Sequence, residues 1–137
     1  MKWGCHMITG KTKTLGILGC PVGHSLSPLM HNAAFSTLQL DCIYVPLPVQ
    51  PEDLGQAVAG LKAMGFIGVN VTIPHKVTVM PYLDEIHLSA QLAGAVNTIV
   101  IKEGKCVGYN TDGQGFIQSL LSKNITIAGK RAVIIGA

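Results

Sequence analysis

Three short stretches of this chain carry side chains of the kinds that handle protons and hydroxyl groups. In "NVTIPHK" Asn70 and Thr72 stand two apart, and Lys76 follows across a proline. If 67–72 is a strand, its alternation turns Asn70 and Thr72 to one side, and Pro74 ends it so that Lys76 emerges at its carboxyl end. A lysine at the start of a helix meets the positive end of the backbone dipole, where a carboxylate would be the more stable choice. There, if partly desolvated, a lysine's charged form is disfavoured, which suits proton exchange near neutrality. The competing reading is a solvated surface lysine.

"GCPVGHSLSP" sets Ser25 and Ser27 between the end of one strand and the start of a helix. Open α/β sheets bind ligands at such ends, and two hydroxyls beside free backbone N–H groups suit a carboxylate or phosphate. Ser27 could equally serve as the helix N-cap, a task for which Ser25 is not needed. In "GAVNT" and "GYNTDGQG", Asn97 heads a strand while Asn110, Thr111 and Asp112 end the next. Together these groups can read a polyhydroxylated ligand, although Asp112 could instead simply cap the helix that follows. His24 and His31 are seven apart with no third ligand nearby, which argues against a metal site. His75 and His87 read as surface or structural residues.

The elements that must position these groups follow from hydrophobic spacing. Strands are expected at 15–19, at 42–49 with Pro46 and Pro48 favouring an edge, and at 67–72. A hairpin joins "AVNTIVIK" to "KCVGYNT" through Glu103 and Gly104. The first helix opens at Ser27 and Pro28 and should bury Leu29, Ala33 and Leu38 or Leu40. The second, over 51–65, should bury Leu54, Val58 and Leu61 and close at Gly65. Shorter helical pieces fit 75–83 and 87–94, and a last helix from Asp112 shows Phe116, Leu120 and Leu121 on one face. Strands alternating with helices predict an α/β fold: a mostly parallel open sheet with flanking helices and one hairpin. A final strand is expected over 131–135, which the resemblance named below makes the first strand of a Rossmann-type domain.

Composition narrows the partners. With 48% hydrophobic residues, 137 residues suffice for one domain with its own core. The net charge of +3 comes from dispersed lysines, and only 5% of residues are aromatic, so nucleic acid is not an expected partner. No apolar run reaches the roughly 18 residues of a membrane span, and the start lacks a secretory pattern, so a cytoplasmic protein is expected. The four cysteines form no CxxC pair, which predicts free thiols rather than zinc or disulfides. "MKWGCH" before Met7 is set aside as an upstream addition.

The ordered set "GCPVGHSLSPLMHN", "NVTIPHK", "GAVNT", "GYNTDGQG" and "VIIGA" closely resembles the amino-terminal half of shikimate dehydrogenase, from about residue 14 onward. The resemblance implies reversible reduction of 3-dehydroshikimate to shikimate with NADPH, in the synthesis of aromatic amino acids. It implies that Ser25 and Ser27 hold the substrate carboxylate, that Thr72, Asn97 and Asp112 bind ring hydroxyls, that Asn70 lines the site, and that Lys76 and Asp112 form the catalytic pair. By the same resemblance, 7–111 is a substrate-binding domain, 112–123 a connecting helix and 124–137 the start of an NADP-binding domain. Gly136 and Ala137 would begin that domain's glycine-rich turn, and no metal is implied. Since the sequence stops there, the expectation is a truncated chain, inactive alone, whose cofactor would be bound by the missing carboxyl-terminal domain. A homodimer is compatible with the resemblance. The alternatives are a quinate/shikimate dehydrogenase using NAD, a non-catalytic module for small carboxylic acids, and a flavodoxin-like phosphate binder, which lacks a use for these Asn, Thr, Lys and Asp groups.

Overall fold

A computed structural model describes residues 8–135. Six strands form one sheet: β1 (Lys13–Gly19), β2 (Cys42–Pro48), β3 (Gly68–Val71), β4 (Glu85–Ile86), β5 (Thr98–Lys102) and β6 (Lys105–Tyr109), ordered β2-β1-β3-β5-β6-β4. β1 is parallel to β2 and β3, and β4 to β6, whereas β5 runs antiparallel to β3 and β6. The α/β class and the mostly parallel sheet are those expected from the alternating pattern. β2 lies at an edge, where Pro46 and Pro48 break no ladder between strands. The β5–β6 hairpin turns through Glu103 (φ 52°) and Gly104 (φ 75°), both left-handed as a two-residue turn between twisted strands requires. β4 escapes the hydrophobic pattern because two residues hold no period.

The helices are α1 (Ser27–Thr37), α2 (Leu54–Ala63), α3 (His75–Thr78), α4 (Leu88–Ala93) and α5 (Asp112–Leu121), with single 3-10 turns at Pro51–Asp53 and Met80–Tyr82. One sheet face carries the main core, where Leu18, Val69, Val71, Ile99 and Cys106 meet Leu54, Val58 and Leu61 of α2. That is the helix face expected from spacing, and Gly65 at φ 75° closes it. The other face carries Ile17, Val22 and Tyr44, with Leu15 and Phe35 against them.

α1 corrects the expectation made for it. Leu29, Ala33, Leu38 and Leu40 are all exposed, and His31, Asn32 and Phe35 turn inward instead. The cause is the open side of the edge strand. Asn32 Nδ2 donates to the Tyr44 carbonyl at 2.8 Å and Asn32 Oδ1 accepts the Tyr44 N–H at 2.9 Å, satisfying backbone groups that no further strand pairs. Holding that edge sets the rotation of α1 against its apolar spacing.

Two further expectations change. Residues 131–135 form no strand; Val133, Ile134 and Ile135 are 81–93% exposed and pair with no ladder, which a β-branched run needs to be held extended. Of the α5 residues expected on one face, Phe116 and Leu121 are exposed and Leu120 is only half-buried, so the helix buries no apolar face among the described residues. Gly136 and Ala137 lie outside the described residues.

The division between the covered face and the exposed one makes a stability prediction. Leu54→Ala, at a position 1% exposed, should cost about 2–5 kcal/mol in urea denaturation, whereas Leu92→Ala, at an exposed position of α4, should change stability by no more than about 0.5 kcal/mol.

Candidate active site

The strand register brings the polar stretches to one edge. Asn70 at the end of β3 lies opposite Thr98 at the head of β5, and Thr98 lies opposite Tyr109 at the end of β6. Because β1 and β3 are parallel, the loop after Gly19 opens at the same edge. Four segments far apart in sequence therefore lie at the same end of the sheet.

Asn97 is the centre of this edge and is only 8% exposed. Its Nδ2 donates to Asp112 Oδ1 at 2.8 Å and to Thr111 Oγ1 at 2.9 Å. Its Oδ1 accepts from the Thr98 hydroxyl at 2.9 Å and from the Thr111 N–H at 3.0 Å. Lys76 Nζ donates to Asp112 Oδ2 at 2.6 Å, so each carboxylate oxygen has its own donor. Asn70 Nδ2 reaches Thr98 Oγ1 at 3.2 Å, and Asn70 Oδ1 accepts from the Tyr44 hydroxyl at 2.7 Å. Asn70, Lys76, Asn97 and Asp112 thus belong to one hydrogen-bonded network.

The capping alternatives do not hold. α5 has Thr111 at its N-cap position, and it is Asn110 Oδ1 that accepts the Asp112 N–H at 2.9 Å, leaving the Asp112 carboxylate to Lys76 and Asn97. Ser27 is the first residue of α1 rather than its cap, and its hydroxyl has no partner among the described residues. Instead Ser25 Oγ accepts the Ser27 N–H at 3.2 Å, which corrects the view that Ser25 has no local task; its hydroxyl proton is still available to a ligand. α3 is one turn of four residues, so its dipole is small, and the group facing Lys76 is the Asp112 carboxylate. The backbone of Lys76 is itself anchored, its carbonyl accepting the Val96 N–H at 2.7 Å.

Ser25 and Thr72 line a cleft of about 410 Å³ together with Ile17, Cys20, Val22 and His24; Ser27 is not in its lining. Gly19 makes this cleft possible, since a Cβ there would fall against the Thr72 methyl group and close to the Ile73 carbonyl. His75 is fully buried with Nε2 2.8 Å from the Val49 carbonyl, and its Nδ1 has no partner among the described residues. His87 caps α4 through Nδ1, which accepts the Ser89 N–H at 3.2 Å. Tyr44 and Thr98 are the network members that sequence reasoning did not assign to the site. Only sheet order brings Tyr44 near, so no local signal marks it.

The hydrogen bond from Lys76 holds the Asp112 carboxyl below the usual carboxylate range; burial opposes this and the Asn97 amide adds to it. A lowered value means the pair stabilises the fold above the ordinary carboxylate range and that this contribution is lost as pH falls through the lowered value. At neutral pH, then, an ionised Asp112 carboxylate stands 2.6 Å from Lys76 Nζ, at the same end of the sheet as the cleft of Ser25 and Thr72. Such a pair can exchange a proton with a ligand oxygen and orient it.

With this geometry in view, the comparisons with known proteins are specific. Residues 17–99 match the family model described as shikimate dehydrogenase substrate binding domain. The chain belongs to this family. It is 55% identical over 131 residues to the shikimate dehydrogenase (NADP(+)) of Methanothermobacter thermautotrophicus, covering 96% of this chain and 46% of that relative. A crystal structure of shikimate dehydrogenase with NADP+ matches with a TM-score of 0.86 at 53% identity, over 88% of this chain and 42% of the other. The Listeria monocytogenes enzyme in complex with shikimate and NAD also gives 0.86, at 42% identity, over 90% and 43%. The chain spans about half the length of the shikimate dehydrogenases it matches. Among its described residues no helix is long and apolar enough to cross a membrane.

If Lys76 sets the charge state of Asp112, replacing it with methionine should move the Asp112 titration up toward the ordinary carboxylate range. Carbon-13 NMR of the labelled carboxyl across an acid titration measures this directly; an unmoved midpoint in Lys76→Met would assign the lowering to Asn97 instead.

Proposed function

We propose that this chain supplies the substrate-binding half of a shikimate dehydrogenase, which reduces 3-dehydroshikimate to shikimate reversibly with NADPH. The observation that carries the reading is the Lys76–Asp112 pair, 2.6 Å apart, with both carboxylate oxygens engaged, at the same end of the sheet as the cleft that Ser25 and Thr72 line. Reduction of a ketone to a secondary alcohol needs a proton at the oxygen as hydride reaches the carbon. Lys76 Nζ would give that proton, and Asp112 would hold the ammonium in place and accept a hydrogen bond from a ring hydroxyl. Thr72 and Asn97 would read the neighbouring hydroxyls, while Ser25 and Ser27 would take the substrate carboxylate. Asn70 lines the site by way of the network. NADP, when bound, supplies the hydride or accepts it in the reverse direction.

In this reading 7–111 form the substrate-binding domain, 112–123 the connecting helix and 124–137 the beginning of the NADP-binding domain. Support for NADP comes from the relatives, which are shikimate dehydrogenases (NADP(+)). The cofactor turn expected at Gly136 and Ala137 is outside the described residues, and the described ones include no glycine-rich phosphate loop, so the chemistry assigned to this chain is confined to the substrate and its protons. We place the protein in the cytoplasm, a reading supported by three free thiols, Cys20, Cys42 and Cys106.

Joined to the carboxyl-terminal half of the Methanothermobacter relative, the chain should oxidise shikimate with NADP. In that chimera Lys76→Ala should lower kcat by roughly 10² to 10⁴, about 3–5 kcal/mol of transition-state stabilisation, with the melting temperature nearly unchanged. Asp112→Ala should also impair kcat, and the double variant should lose far less than the product of the two. A chimera that folds and binds both ligands but turns over normally with Lys76→Ala would overturn the reading.

A further inference from the structure

The network extends beyond the groups that would touch a substrate, and its far end is unusually well held. Tyr44, on β2, lies two strands from Asn70 and is 3% exposed. Asn32 clamps its backbone by two hydrogen bonds, and the His31 ring stacks on its ring with centroids 4.3 Å apart and planes at 17°. Four constraints therefore fix one hydroxyl: a strand, an amide clamp, a stacked ring and the bond to Asn70. Burial pushes this phenol up to about 12, so across the neutral range the hydroxyl carries its proton.

We propose that Tyr44 is a positioning residue of the site, whose hydroxyl proton fixes the direction of the hydrogen bonds that run through Asn70 and Thr98 to Asn97 and Asp112. The proposal rests on the reading of Lys76 and Asp112 as the proton-handling pair. The direction follows from donor and acceptor inventory. Asn70 Oδ1 receives the Tyr44 proton at 2.7 Å, so the Asn70 amide turns its NH₂ the other way, toward Thr98 Oγ1 at 3.2 Å and, more weakly, the Asn97 carbonyl at 3.4 Å. Having accepted there, Thr98 has one proton to give, and it goes to Asn97 Oδ1 at 2.9 Å. A carbonyl loaded in this way polarises its own amide, strengthening the donation from Asn97 Nδ2 to Asp112. Without the Tyr44 proton, only the long 3.4 Å bond to the Asn97 carbonyl holds the Asn70 amide this way round, and the amide can turn its oxygen toward Thr98. The threonine proton would then leave Asn97, and the bond to Asp112 would weaken. The titratable groups bordering the chain of bonds are His31 on the Tyr44 ring and Lys76 and Asp112 at the other end.

The test needs neither substrate nor cofactor. In the 137-residue chain, Tyr44→Phe removes the hydroxyl and keeps the stacked ring. Carbon-13 NMR should show the Asp112 titration midpoint shifted upward beyond fitting error, with the Asn97 side-chain NH₂ resonances displaced. Thr98→Val, which cuts the same route at its middle, should shift the midpoint in the same direction, and the double variant should shift it no further than the larger single one. A merely structural Tyr44 would lower the melting temperature and leave Asp112 titrating as in the parent, and that result overturns the proposal. Should Tyr44→Phe fail to fold, Thr98→Val alone decides, an unmoved midpoint being the contrary outcome. A chimera without dehydrogenase activity alongside a shifted midpoint would remove the catalytic reading and leave the directing role of Tyr44 intact.

Discussion

The arrangement at the sheet edge depends on the buried amide of Asn97. Each of its two side-chain atoms is committed in two directions, and together they tie the head of β5 to the segment after β6. An amide buried this deeply must have its polar atoms satisfied, and here the partners that satisfy it are the residues around the site. Asp112 is held where Lys76 can reach it because Asn97 takes the other carboxylate oxygen. Lys76 is held because its own carbonyl accepts from Val96, the residue before Asn97. Both members of the pair are thus anchored to one stretch of chain, 96–97, Asp112 through its carboxylate and Lys76 through its backbone.

The remainder of the fold supplies the two surfaces that this edge needs. Beneath it, the core of Leu18, Val69, Val71 and Ile99 fixes β1, β3 and β5 relative to one another. On the opposite face, α1 is rotated by the need to satisfy the outer edge of β2, and the same rotation places His31 over Tyr44. The cleft with Ser25 and Thr72 opens between the loop after β1 and the end of β3, where Gly19 leaves room for Thr72. Core packing and polar satisfaction meet at this edge: the strands that bury the core carry the polar residues at their ends.

Much of this was legible in the sequence, and the portions that were not have physical reasons. α2 reads cleanly because its burial is set by apolar spacing alone. The hairpin reads cleanly because Gly104 supplies positive φ between two alternating runs, and Glu103 follows it into the left-handed region. α1 misleads because a polar edge, not apolar spacing, decides which face turns inward. The segment 131–135 misleads because β-branched composition signals a strand only where a neighbouring strand pairs with it. Asn70, Asn97, Lys76 and Asp112 were identifiable since each stands at the end of an element. Tyr44 was not, for its relation to Asn70 spans 26 residues of sequence and exists only through the order β2-β1-β3.

The central claim is that the cleft of Ser25 and Thr72 and the network of Asn97, Asp112 and Lys76 form one site for a carboxylated, hydroxylated ring. Nitrogen-15 NMR of the 137-residue chain titrated with shikimate tests it most directly. The account predicts that resonances of Ser25, Thr72, Asn97 and Asp112 shift together and saturate with a single Kd, whereas those of α2 on the opposite face stay still. Shifts that fail to saturate, or that saturate at one group of residues while the other does not move, would contradict it.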